Sequence, residues 1–117
     1  MDLVSVDPRY RPEAYFFTLE ALRFTTEALR ESGHQGHIDG RQLSHGIRDY
    51  ARRLFGYLGA AVFKEWGVLS TRDFGDIVFR LADAELLCKQ ESDAPDDFSE
   101  IYDLKAAFET EFLHPSS

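Results

Sequence analysis

The chain has 117 residues and a formal net charge of −8, and 44% of its residues are hydrophobic. This composition excludes a disordered chain and suits one packed domain, while the acidic balance opposes non-specific attraction to nucleic acid or anionic membranes. The single cysteine, Cys88, excludes an intramolecular disulfide and favours a reducing compartment. No secretory signal or membrane-spanning apolar run is evident, so we expect one cytoplasmic domain over residues 1–117, with flexible ends at residues 1–8 and 113–117.

The first two predicted helices have clear start and stop signals. Pro12 suits the first turn of a helix, where its missing N–H costs nothing, and Gly33 is typical of a left-handed helix cap. Asp39 predicts the start of the second helix, because Gln42 follows three residues later as in a capping box. Gly56 predicts the end of this second helix.

Two further helices follow. Residues 58–66 predict a short third helix that Gly67 ends, and Ser70 predicts the N-cap of a fourth. Apolar side chains at helical spacing predict which residues of the four helices form the core. These are Leu19, Leu22, Leu43, Ile47, Leu54, Val62, Trp66, Phe74, Ile77, Val78 and Leu81.

The region after the fourth helix predicts a β-hairpin. A short apolar strand is expected over residues 86–90, followed by a polar turn over residues 91–97 and a second short strand over residues 101–104. The predicted fold is therefore mainly α (α+β): a single small helical domain with a C-terminal β-hairpin, winged-helix-like. A plain helical bundle is the main rival, because the apolar residues between 98 and 112 also fit helical spacing.

Several segments spread over nearly the whole chain resemble a family of small uncharacterised bacterial proteins, the Minf-type conserved hypothetical proteins. The residues that carry the resemblance are Asp7-Pro8-Arg9-Tyr10, Pro12-Glu13-Ala14-Tyr15, Gly46-Ile47-Arg48, Glu65-Trp66-Gly67, Ser70-Thr71, Asp73-Phe74-Gly75-Asp76-Ile77-Val78-Phe79, Phe98, Tyr102-Asp103-Leu104 and Ala107-Phe108. The resemblance implies no activity, so no functional residue is transferred from the family.

A metal site is one hypothesis for the connector between the first two helices. His34 and His37 are two residues apart and lie close to Asp39, and two imidazoles with a carboxylate are ligands that zinc accepts. Polar, glycine-flanked connectors also collect histidines without binding a metal. We therefore favour a protein without a metal, and keep these three residues as the alternative.

No motif indicates catalysis. The chain has no glycine-rich phosphate loop, no Gly-x-Ser-x-Gly motif and no evident Cys/His pair. Cys88 follows two leucines and is more typical of a structural thiol than of a nucleophile, although Lys89 stands next to it. The carboxylates between residues 93 and 103 lie in a hydrophilic stretch, which does not raise a pKa as a general acid requires. We expect a non-enzyme with no required cofactor.

The second helix carries a basic stripe opposite its core-facing side. Arg41, His45, Arg48 and Arg52 recur at i, i+4, i+7 and i+11, so they share one helix face, and Arg53 lies near its edge. A solvated face is the common explanation of such a pattern. The functional interpretation is a docking surface for an acidic partner or for phosphates.

The sequence thus favours a non-enzymatic protein-interaction or adaptor module. The basic stripe would contact the carboxylates of another protein, or residues 91–103 of a second copy, and neither Arg48 nor Arg52 is expected to face the core. A winged-helix-type DNA-binding regulator is an alternative, although the acidic residues of the fourth helix and the wing would repel phosphates. No membrane partner is expected.

Overall fold

A computed structural model describes residues 9–36, 38–84 and 95–110. Its four α-helices are α1 (Pro12–Glu31), α2 (Gly40–Phe55), α3 (Gly59–Glu65) and α4 (Thr71–Asp83). A 3₁₀ turn, Gly56–Leu58, joins α2 to α3. Among the described helices, none combines the length and hydropathy that crossing a lipid bilayer requires.

The helix starts follow from local hydrogen bonding, as the sequence predicts. At α2 the backbone N–H of Gln42 donates to the Asp39 carboxylate at 2.7 Å, and the Gln42 side chain accepts from the Asp39 N–H at 2.9 Å. At α4 the Asp73 carboxylate accepts the backbone N–H groups of Leu69 and Ser70 at 2.8 and 3.1 Å. These bonds satisfy donors that the first turn of a helix leaves unpaired.

The predicted β-hairpin and winged-helix-like fold are wrong. No strand occurs in the three described ranges, and residues 101–104, the predicted second strand, lead instead into a helical turn. The first predicted strand, most of the polar turn and both chain ends lie outside the described residues.

A C-terminal segment, residues 95–110, replaces the predicted second strand. It begins with a 3₁₀ turn, Pro95–Phe98, and a helical turn from Leu104 continues as a π-helix, Ala106–Thr110. The Asp103 carboxylate accepts the Ala106 N–H at 2.9 Å and so favours the start of a helix. Helical spacing then buries three residues on one side, which outweighs the strand-like pattern of residues 101–104. These residues are Leu104, Ala107 and Phe108.

An aromatic cluster forms the centre of the core. The Phe17 ring of α1 lies 5.4 Å from the Phe63 ring of α3 and 6.3 Å from the Phe74 ring of α4. Phe63 also meets Phe108 of the C-terminal segment edge to face at 5.4 Å. Two aromatic residues of α2, Tyr50 among them, lie 5.6 and 5.9 Å from Phe17. Every described α-helix therefore contributes to one cluster.

Helices α1 and α2 cross closely at a glycine. Gly46 is buried on α2, and a methyl group in its place would overlap the Thr25 side chain of α1. The Thr25 hydroxyl donates to the backbone carbonyl of Ala21 at 2.7 Å, so this polar group is satisfied within α1. The absence of a side chain at Gly46 therefore lets the two helices approach.

Two predicted core residues provide a test of this packing. Ile77 is fully buried, whereas Leu54 is 53% exposed. We expect Ile77→Ala to lower the free energy of unfolding by about 2–5 kcal/mol because it leaves a cavity, and Leu54→Ala to change it by less than about 1 kcal/mol. Urea unfolding followed by circular dichroism measures both. Equal losses from the two substitutions would contradict the described core.

Candidate interaction surface

The C-terminal segment partly covers the basic stripe of α2. His45, Arg48 and Arg52 are half-buried, whereas Arg41 and Arg53 are exposed. The structure therefore divides the five predicted partner-binding residues into two groups: three support the fold of the same chain, and two face solvent.

Tyr102 is the residue that covers His45 and Arg48. Its hydroxyl donates to the backbone carbonyl of Ser44 at 2.7 Å. Its ring centre lies 6.0 Å from the His45 ring and 5.9 Å from the Arg48 guanidinium carbon. Arg48 also donates to the Asp49 carboxylate at 3.1 Å. Arg48 is thus close to an aromatic ring and bonded to a carboxylate, both within its own chain.

Arg52 supports the last described helical turn. Its Nη2 and Nε donate to the backbone carbonyl of Ala107 at 2.6 and 3.2 Å. Arg52 was expected to face away from the core, and the structure differs because the C-terminal segment forms a second layer on this side of α2. The helical period of α2 identifies the side that packs on α1, but it contains no information about a distant segment.

His45 lies in a confined and positively charged environment. Its Nδ1 is buried, and it has no hydrogen-bond partner among the residues that the structure describes. Burial lowers the pKa of His45 from its usual 6.5, and the nearby cations Arg48 and Arg41 lower it further, with Asp49 acting in the opposite direction. The neutral imidazole is therefore the form that suits the folded protein.

Arg41 and Arg53 remain exposed on α2. The Arg53 guanidinium carbon lies 5.1 Å from the centre of the Phe24 ring of α1, so part of this side chain packs on the neighbouring helix. Exposed contacts of this kind contribute about 0.5–1 kcal/mol.

The candidate metal residues of the connector are only partly described. His37 lies outside the described residues, and the Asp39 carboxylate already accepts the N–H of Gln42 as the cap of α2. Within the described part of the chain, no group of three or more His, Cys, Asp or Glu side chains converges as a metal site would require. Cys88 also lies outside the described residues.

A second surface feature, which we name the apolar groove, lies between α3 and the C-terminal segment. It has a volume of about 490 Å³. Three of its residues are large hydrophobic side chains that are more than half exposed: Tyr57, Leu58 and Leu69. Val68 and Leu104 are buried at its base. The lining residues are Tyr57, Leu58, Ala60, Ala61, Lys64, Val68, Leu69, Asp103, Leu104 and Lys105.

The sequence alone did not identify the apolar groove. Leu58 belongs to the predicted third helix, but the structure places it in the 3₁₀ turn Gly56–Leu58 that precedes α3, where its side chain is exposed. Leu69 precedes the cap of α4, where an apolar residue often packs on the helix, yet its side chain is 71% exposed. The available signal in the sequence was that large apolar residues follow the glycines that end two helices. Tyr57 and Leu58 follow Gly56, and Leu69 follows Gly67.

Comparisons with known proteins identify no relative of this chain: no family model, no curated protein and no solved structure matches it. The resemblance to the Minf-type family stays a prediction. The geometry of the protein itself is therefore the basis for any proposal about its function.

Arg52 and Arg53 give a matched pair of substitutions. We expect Arg52→Met to lower the free energy of unfolding by about 1–3 kcal/mol, because the buried Ala107 carbonyl loses charge-assisted hydrogen bonds. Arg53→Met removes the same charge from an exposed position and should cost less than about 1 kcal/mol. Urea unfolding measures the difference, and indistinguishable losses would contradict a structural role for Arg52.

His45 predicts how stability depends on pH. In the unfolded chain its pKa returns to about 6.5, above the folded-state pKa. Between these two values the unfolded chain binds more protons, so the free energy of unfolding falls as pH decreases below 6.5. We expect His45→Gln to weaken the loss of stability between about pH 7.5 and about pH 5.5, and the control His34→Gln to retain it. An unchanged pH dependence in His45→Gln, measured by urea unfolding, would contradict this assignment.

Proposed function

We propose that this protein is a non-enzymatic protein-interaction module and that the apolar groove is its docking surface. The observation that supports this proposal is the exposure of Tyr57, Leu58 and Leu69 around one concave surface. Exposed hydrophobic side chains that cluster, in contrast to those scattered singly, are typical of binding sites. The cytoplasm, predicted from the sequence, is the proposed compartment.

The contacts of the basic stripe support the choice of the groove. His45 and Arg48 pack against Tyr102, and Arg52 donates to the Ala107 carbonyl, so a partner would have to displace the C-terminal segment to reach all three. The groove is open without such a rearrangement, and a preformed surface lowers the ordering cost of binding. Arg41 and Arg53 are exposed and remain predicted contacts for a partner at the edge of the same module.

The groove also exposes apolar side chains that a partner would cover. Its base is formed by buried apolar residues, and its rim carries an aromatic ring and two leucines that lose water contact when covered. Burying apolar surface contributes about 25 cal/mol per Å². A few buried residues, aromatic ones above all, supply most of the binding energy of known interfaces. The side chains of Tyr57, Leu58 and Leu69 are therefore the expected anchors.

Capture from a native-host lysate, followed by measurement with the purified partner, tests the proposal. We expect the double substitution Leu58→Ser/Leu69→Ser to weaken the purified complex by at least about tenfold, because it removes two apolar anchors. Phe16→Ser is the matched control, since Phe16 is an exposed hydrophobic residue of α1 that does not line the groove. A complex that survives the double substitution, or that Phe16→Ser weakens equally, would contradict docking at the groove.

A further inference from the structure

We propose that the occupant of the apolar groove is an amphipathic helix of another protein whose apolar side is flanked by carboxylates. This inference rests on the proposed function and adds the chemistry of the partner. It is carried by the two exposed lysines of the groove, Lys64 and Lys105, which stand beside its hydrophobic residues.

Lys64 and Lys105 are available to a partner. Within the described part of the chain, neither ammonium group lies within ion-pair distance of a carboxylate. In contrast, Arg9, Arg11, Arg23 and Arg48 each have an acidic neighbour. Two unpaired cations on an apolar rim favour a ligand that brings carboxylates to both.

Asp103, the acidic residue that lines the groove, forms no ion pair with Lys64 or Lys105. The Asp103 carboxylate accepts the Ala106 N–H at 2.9 Å and so is directed at the start of the last helical turn. The groove therefore differs in sign from the chain as a whole, which has a net charge of −8. A local cationic surface on an acidic protein gives selectivity, because acidic partners are repelled elsewhere.

The backbone of the occupant is expected to be helical. No strand is found in residues 9–36, 38–84 or 95–110, so the described surface offers no sheet edge to which an extended peptide could add. An extended peptide in an apolar groove would leave its N–H and C=O groups without partners, whereas a helix satisfies them internally. An amphipathic helix also presents apolar side chains at i, i+3, i+4 and i+7 to a groove.

Synthetic helical peptides test the inference with the full-length protein. The probe is a fluorescein-labelled peptide of about 18 residues with leucines along one side and glutamates flanking them. Two matched peptides replace the glutamates with glutamine or with lysine. We expect fluorescence anisotropy to show binding of the glutamate peptide about fivefold tighter than the glutamine peptide at about 50 mM salt, and a smaller difference at about 300 mM salt.

Charge-matched variants locate the site. We expect Lys64→Gln/Lys105→Gln to remove the preference for glutamate while retaining binding of the glutamine peptide. Arg23→Gln/Arg30→Gln removes the same net charge from exposed positions of α1 that do not line the groove, and should retain the preference. Loss of the preference in the arginine variant alone would overturn the assignment to the groove.

The remaining outcomes separate this inference from the proposed function. Equal affinity for the three peptides, or tighter binding of the lysine peptide, overturns the acidic partner while the lysate capture still tests docking at the groove. Absence of binding by all three peptides overturns the amphipathic helix. A concentration-dependent dimer that Leu58→Ser/Leu69→Ser abolishes in sedimentation experiments would identify a second copy as the occupant and would also overturn this inference.

Discussion

The edge-to-face contacts of Phe63 bring the described elements together. Phe63 meets Phe17 of α1, Phe74 of α4 and Phe108 of the C-terminal segment at 5.0–5.4 Å, while Phe17 extends the cluster to α2. A small domain has little interior, so one cluster of large rings supplies much of the apolar area buried on folding. Gly59 is part of the same constraint, because a methyl group there would overlap the Phe108 ring.

The docking of Phe108 determines both surfaces of functional interest. Once this ring enters the core, the residues that precede it pass over α2, where Tyr102 covers His45 and Arg48. Leu104 and Lys105 of the same segment line the apolar groove. The covered part of the basic stripe and the open groove therefore arise from one packing event, which explains why the cationic residues predicted to bind a partner are largely occupied within the chain.

Local signals in the sequence predicted the four helices, because caps such as Asp39 with Gln42 and stops such as Gly56 act over a few residues. The hairpin prediction failed because short apolar runs fit strands and helices equally, and contacts distant in sequence decide between them.

Contacts distant in sequence also decide which residues of a helix surface stay exposed. The period of α2 identified a basic face, but the cover by Tyr102 depends on a segment 58 residues away. Leu54, expected in the core, is 53% exposed.

The composite construction of the groove couples its occupancy to the folding of the last part of the chain. Leu58 and Lys64 come from the middle of the sequence and Leu104 and Lys105 from its end, so the groove exists only while the C-terminal segment is docked. Any ligand that requires both sides must then stabilise the docked state, by about 2.7 kcal/mol at a concentration a hundred times its dissociation constant. Conversely, fraying of the segment lowers the apparent affinity by the fraction of molecules that are undocked.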